Sequence, residues 1–205
     1  MEQFPFIFTV LFMLLGPVKL IPAFAGLTRG ADSRFKRDVA VRGVVIASVL
    51  CAFVALAGGT LLAKYHITLE ALRISAGLVL LIAALHIIFK VAEPSSANAG
   101  TLSAMRLAVS PVATPMIVPP AGVAAILICI MLAPQYPGGA QAVAICLAIM
   151  MVLDFLVMYF IDRIMKTPGL MIVLTVLGAV LVFVQVCLAV ETMLNGLRGL
   201  GLIKA

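Results

Sequence analysis

Charge is scarce in this sequence. Only 11% of its 205 residues are Asp, Glu, Lys or Arg, whereas 64% are hydrophobic and the mean hydropathy is +1.27. Soluble domains run near half apolar and about a quarter charged. No soluble fold of this size could hide so much apolar surface, so the bilayer is the expected solvent. Histidine is equally sparse. His66 and His86 lie on different segments, and no HExxH, GxSxG or Walker pattern occurs, which removes the constellations a membrane-embedded enzyme would need. The four cysteines, Cys51, Cys129, Cys146 and Cys187, sit inside apolar runs without CxxC spacing. They act as small hydrophobes and imply neither disulfide nor metal. Low complexity, coiled-coil heptads, long linkers and a separate soluble domain are all missing. The net charge of +6 does not point to nucleic acid, because the charges stand at the ends of apolar runs, as membrane flanks do.

What is present is a series of long apolar runs. At roughly 20 residues per crossing, six spans fit, over about 4–28, 40–63, 70–92, 104–133, 140–161 and 169–194. The first is read as a span and not a cleavable signal: it is too long, lacks a basic n-region and begins with the acidic Glu2. Arg29, Arg34, Lys36, Arg37, Arg42, Lys90, Arg106, Arg163 and Lys166 fall on one side, and Lys64, Arg73, Arg198 and Lys204 on the other. That bias places the first set in the cytoplasm and both termini outside.

Two spans carry helix-breaking residues in their interiors. GPVKLIP at 16–22 combines Gly16, Pro17, Lys19 and Pro22, and SPVATPMIVPP at 110–120 repeats the small-Pro-Val pattern as Ser110-Pro111-Val112 with Pro115 following. A proline lacks an N–H and clashes with the carbonyl four residues earlier. Lipid offers no replacement partner, so such backbone is expected against protein or a water-filled cavity. Free N–H groups at the half-helix N-termini would suit a carboxylate, and freed carbonyls an ammonium or cation. A motif recurring three spans later crosses the membrane in the opposite sense, which implies inverted halves. Interrupted segments at matching positions of two halves point to the binding site of a secondary transporter.

The expected architecture is therefore all-α: one polytopic membrane domain over 1–205, with six transmembrane helices as two inverted three-helix repeats. Repeat 1 covers about 1–92, a connecting loop 93–103 and repeat 2 104–205, and helices 1 and 4 are broken at prolines. The residues expected at the substrate are Gly16, Pro17, Lys19, Pro22, Ser110, Pro111, Thr114 and Pro115. Intramembrane ionisable residues are costly and functional by default. Asp154, deep in the fifth span, is expected to pair with Lys19 or to couple transport to an ion, and His86 is a further titratable candidate. A snorkelling Lys19 is the competing reading. Gln185 is read as an interhelical hydrogen bonder, and Arg73 and Glu191 as interfacial anchors.

These segments carry a resemblance. LGPVKLIPAFAGLT is similar to the NPxGxxPxFxxLT signature of the MarC/SnatA family of integral membrane proteins. VSPVATPMIVPPAGVAAIL is similar to its PLAxPxxxGPG segment, AGGTLLAKYHITLEALRISAGLVLLIAAL to its third-span region and VQVCLAVETMLNGL to its last helix. Gly16 stands where the family has asparagine, Lys19 where it has glycine, and Pro119-Pro120-Ala121 where it has GPG. The resemblance implies a six-helix bundle of inverted repeats in a bacterial or archaeal inner membrane, with no enzyme activity and no cofactor. Transport of small neutral amino acids is what it offers as function. The expected function is thus a secondary transporter of a small polar metabolite, working by alternating access around spans 1 and 4. Its partners would be membrane lipid, the solute and a proton or sodium ion. A channel, or an assembly partner that moves no solute, is the alternative.

Overall fold

A computed structural model describes residues 3–89, 103–167 and 169–203. Among these residues every regular element is helical. The first span is two helices, α1 (Gln3–Leu15) and α2 (Pro17–Leu27), separated by Gly16 alone. Helix α3 (Ser33–Lys64) returns, and α4 (Leu69–Phe89) crosses again. The fourth crossing starts with the short α5 (Ala104–Leu107), runs through an irregular segment, Ala108–Ile117, and resumes as α6 (Pro120–Leu132). Its two parts meet at 58°. Helix α7 (Gly139–Tyr159), the short α8 (Ile161–Lys166) and α9 (Leu170–Gly199) follow. Five helical stretches are long and apolar enough to cross a membrane, six if the bent pair is one span.

Helix α3 begins at Ser33, within the segment 29–39 expected to be a loop. Asp32 caps it, its carboxylate accepting from the Arg34 N–H at 3.4 Å. A capped, charged first turn extends a helix beyond its apolar run into the headgroup layer. The connection expected at 93–103 lies almost wholly outside the described residues.

Alternating crossings leave the start of α1, the end of α9 and the turns near 65–68 and 134–138 at one end of the bundle, called here the terminal end. The turns near 28–32 and 160–169 lie at the other, basic end. There Asp162 accepts from Lys36 Nζ at 2.7 Å and from Ser33 Oγ at 2.6 Å. Those two bonds, Lys36 first, hold its carboxyl below the ordinary carboxylate range. The bridge is therefore present at neutral pH and fades as acid carries the pH down through that lowered value. Arg37 lies over the Tyr159 ring, 4.8 Å from its centre, and ties α3 to the end of α7 as well.

Packing runs mainly between the first three crossings and the last three. Helices α1 and α2 lie on α7, α2 on α9, α3 on α7 and on the irregular segment, and α4 on α6. The most extensive pairing joins α4 to α9, and small residues set its spacing. A Cβ at Gly77 would meet the side chain of Met193 and lie 2.7 Å from the Ala189 carbonyl oxygen. One at Gly196 would lie 2.7 Å from Ile74 Cγ1 and 2.9 Å from the Glu70 carbonyl oxygen. In lipid, where apolar surface alone does not drive helices together, such close backbone approach is a main source of association. Gly77→Ala is expected to lower thermal stability in detergent by about 1–3 kcal/mol, the usual scale of overpacking. Gly26→Ala, at a helical site with nothing within 4 Å, is the control and is expected to leave the melting temperature unchanged or raise it.

Candidate functional site

The break in the first span follows from three adjacent features. Gly16 N–H still bonds the Phe12 carbonyl at 2.9 Å, ending α1. Gly16 itself is extended (φ −73°, ψ 165°), and a Cβ there would run into that same carbonyl. Pro17 then opens α2 from the first helical position, where its missing N–H costs nothing. Pro22 lies inside α2 without ending it, so in this span the interruption belongs to Gly16 and Pro17 alone. In the fourth span Ser110 (φ −144°, ψ 126°) and Thr114 (φ −135°, ψ 127°) are extended. Each precedes a proline, which disfavours helix for the residue before it. Both of these X–Pro bonds are cis.

The two breaks meet at a cavity of about 700 Å³. Gly16, Lys19 and Pro22 line it from the first span, and Pro115, Met116 and Pro119 from the fourth. Helix α4 adds Ala83, Ile87 and Ile88, and α9 adds Thr175, Gly178, Val182 and Gln185. Ile87, Ile88 and Thr175 belong to the basic ends of their helices, so the cavity runs from mid-depth toward that end. A second cavity, about 290 Å³, reaches in from the terminal end between α1, α4, α6 and α9. Phe6, Arg73, Tyr136, Glu191 and Asn195 are among its walls. Leu14 borders both cavities. Leu80 borders the second, and Gln185 borders the first. All three are buried, and the Gln185 amide donates to the Leu80 carbonyl at 3.2 Å. Leu14, Leu80 and Gln185 therefore form a septum between the two spaces.

Lys19 Nζ donates to Gln185 Oε1. It neither snorkels free nor reaches Asp154: no ion pair joins those two among the described residues, because Lys19 turns to the α9 side of α2. Asp154 is fully buried on the inner face of α7 with Cys146, Met150 and Met158. Neither of its carboxyl oxygens has a hydrogen-bond partner in the structure, and it lines neither cavity. His86 is on the exposed surface of α4, also off both cavities.

Of the residues expected at the substrate, Gly16, Lys19, Pro22 and Pro115 share the large cavity. Pro17 is buried behind it. Ser110 and Pro111 lie off it, in the segment that packs on α3, and Thr114 faces a separate groove with Ser75 and Val79 of α4. Sequence reasoning did not place Gln185 there, although a lone amide in a long apolar helix was the available signal. Met116, Gly178, Ile87 and Ile88 carried none. Among the described residues no three His, Cys, Asp or Glu side chains gather closely enough to hold a metal ion.

Comparison with known proteins matches residues 1–200 to the family described as MarC family integral membrane protein. The chain belongs to that family. A UPF0056 membrane protein of Methanocaldococcus jannaschii is 25% identical over 97% of this chain and 98% of its own length. Another, of Archaeoglobus fulgidus, is 26% identical over 40% of this chain and 38% of its own. No solved structure matches. This MarC family member is thus a multi-pass integral membrane protein, and its cavities belong to a chain surrounded by lipid.

Two substitutions separate the polar groups by their surroundings. Gln185→Leu removes the acceptor of Lys19 and the tie to Leu80, and is expected to lower stability by about 1–3 kcal/mol, the cost of orphaning a buried polar partner. Asp154→Asn removes a carboxyl that nothing holds, and its melting temperature is expected to equal or exceed the parent's. Thermal unfolding of the purified protein in one detergent measures both.

Proposed function

We propose that this protein is a secondary transporter of a small polar metabolite, with the 700 Å³ cavity as its binding site. The observation that carries this reading is the meeting of both broken spans at that one cavity. The packing supports two inverted repeats. If crossing 1 exchanges with 4, 2 with 5 and 3 with 6, the contact of the first span with α7 becomes that of the fourth with α3. The contact of α2 with α9 likewise becomes that of α6 with α4, and all four are present. Cavities approaching from opposite ends with a septum between them fit alternating access around a central site. The same septum counts against an open channel, whose pore would be continuous.

On this reading the basic end faces the cytoplasm, following the positive-inside bias, and the membrane is the cytoplasmic membrane of a bacterial or archaeal cell. Small neutral amino acids are the solutes suggested by the MarC resemblance. Asp154, buried without a partner, is assigned to ion coupling by a proton or sodium ion.

Counterflow in proteoliposomes tests the whole reading. Saturable exchange of a labelled solute, drawn from a panel of amino acids and small organic acids, is expected. Conductance without saturation would mean a channel, and no flux of any small solute an assembly partner that carries none. Asp154→Asn is expected to keep counterflow while losing accumulation driven by an ion gradient. Accumulation at the parent's rate would remove Asp154 from coupling.

A further inference from the structure

The lining of the large cavity is unbalanced in charge. Among the described residues Lys19 is its one ionisable side chain, Thr175 and Gln185 are its other polar ones, and no Asp or Glu lines it. The Thr175 hydroxyl is already given to the Met171 carbonyl at 2.8 Å. Gln185 meets Lys19 with its oxygen and α4 with its nitrogen, so the ammonium has a neutral partner where a buried cation ordinarily has an acid. Asp154, the nearest candidate in sequence reasoning, is turned elsewhere. Lys19 also stands in the first turn of α2, and Gly16, which precedes that helix, offers no side-chain cap. The positive end of that helix adds to the sign of the ammonium and does not offset it.

We propose that this cavity takes a solute of net negative charge, a small carboxylate, in preference to a zwitterion. The missing negative charge is supplied by the ligand: its carboxylate accepts from Lys19 Nζ in place of Gln185 Oε1. A zwitterion would bring its own ammonium into a site that, among the described residues, has a cation and no acid to receive it. This proposal rests on the transporter reading and narrows it. It also separates this chain from the family pattern, in which a glycine stands at the position of Lys19.

Glycerate and serine differ only in a hydroxyl for an ammonium, which makes them the decisive pair. In proteoliposomes holding the wild-type protein, unlabelled glycerate, succinate, serine and serinamide are compared as drivers of exchange of labelled glycerate and of labelled serine. Glycerate or succinate is expected to be effective at a concentration at least about tenfold below that of serine, the scale of one charge-assisted hydrogen bond, and serinamide to be inactive. Lys19→Met, which keeps length and removes charge, is expected to erase that preference, with size-exclusion and melting profiles showing that it folds. Exchange of serine as good as or better than that of glycerate would overturn the proposal and leave the transporter reading intact. Exchange of none of the four would overturn both. A wild-type preference for glycerate that persists in folded Lys19→Met would overturn the assignment to Lys19.

Discussion

Backbone N–H and C=O groups cannot be left open to hydrocarbon, and most of this architecture follows from where the chain leaves them open. Gly16 interrupts the first crossing about 20 Å from the start of α1 at 1.5 Å per residue, and the segment 108–119 interrupts the fourth one turn after the start of α5. Both pack against other helices, the first span on α7 and α9 and the fourth on α3 and α4, although Val109 and Ser110 keep an exposed face. Outer helices that must wrap two irregular spans have to approach one another closely elsewhere, and α4 and α9 do so through Gly77 and Gly196. The cavity is what remains where the two interruptions fail to fill the space between them.

The same constraint explains the unequal form of the two breaks. In the first span a residue without a Cβ turns the chain in one step, and Pro17 restarts the helix at once. In the fourth, Ser110 and Thr114 each leave the helical region before a proline, and the crossing bends by 58°. A tightly closed break and a drawn-out one give the cavity two different walls. The wall from the first span carries the charge, and the wall from the fourth is apolar.

The crossings were legible because a run of about twenty apolar residues has few other uses. The early start of α3 was not, since hydropathy is blind to helical turns made of charged residues, and only the cap at Asp32 marks it. Gly16, Pro22 and Pro115 were legible as cavity residues because freed backbone needs a cavity. Ser110 and Pro111 lie off the cavity in a segment that packs on α3, with Val112 and Ala113 among its buried residues and Ser110 itself exposed. The walls given by α4 and α9 left no trace in the sequence, because an apolar side chain serves equally against lipid and in a cavity. The partner of Lys19 was hidden for a related reason. Depth along the membrane can be counted from the sequence, but the face of a helix that has lost its regular course cannot, and Lys19 turns to Gln185 on α9 and not to Asp154 on α7.

On the transporter reading, Gln185 is the point at which binding and access touch. Its oxygen receives Lys19 inside the large cavity, and its nitrogen holds the Leu80 carbonyl at the septum. A ligand that draws Lys19 away leaves the amide held at one end only, by α4. Leu80 and Leu14, the two apolar members of the septum, belong to α4 and α1, and α1 ends one residue before the Gly16 break. Occupation of the cavity and the closure between the two cavities therefore share one side chain. A glycine at position 19 would bring no ammonium to that amide. The lysine that departs from the family pattern is thus linked, through a single hydrogen bond, to the element that would have to move.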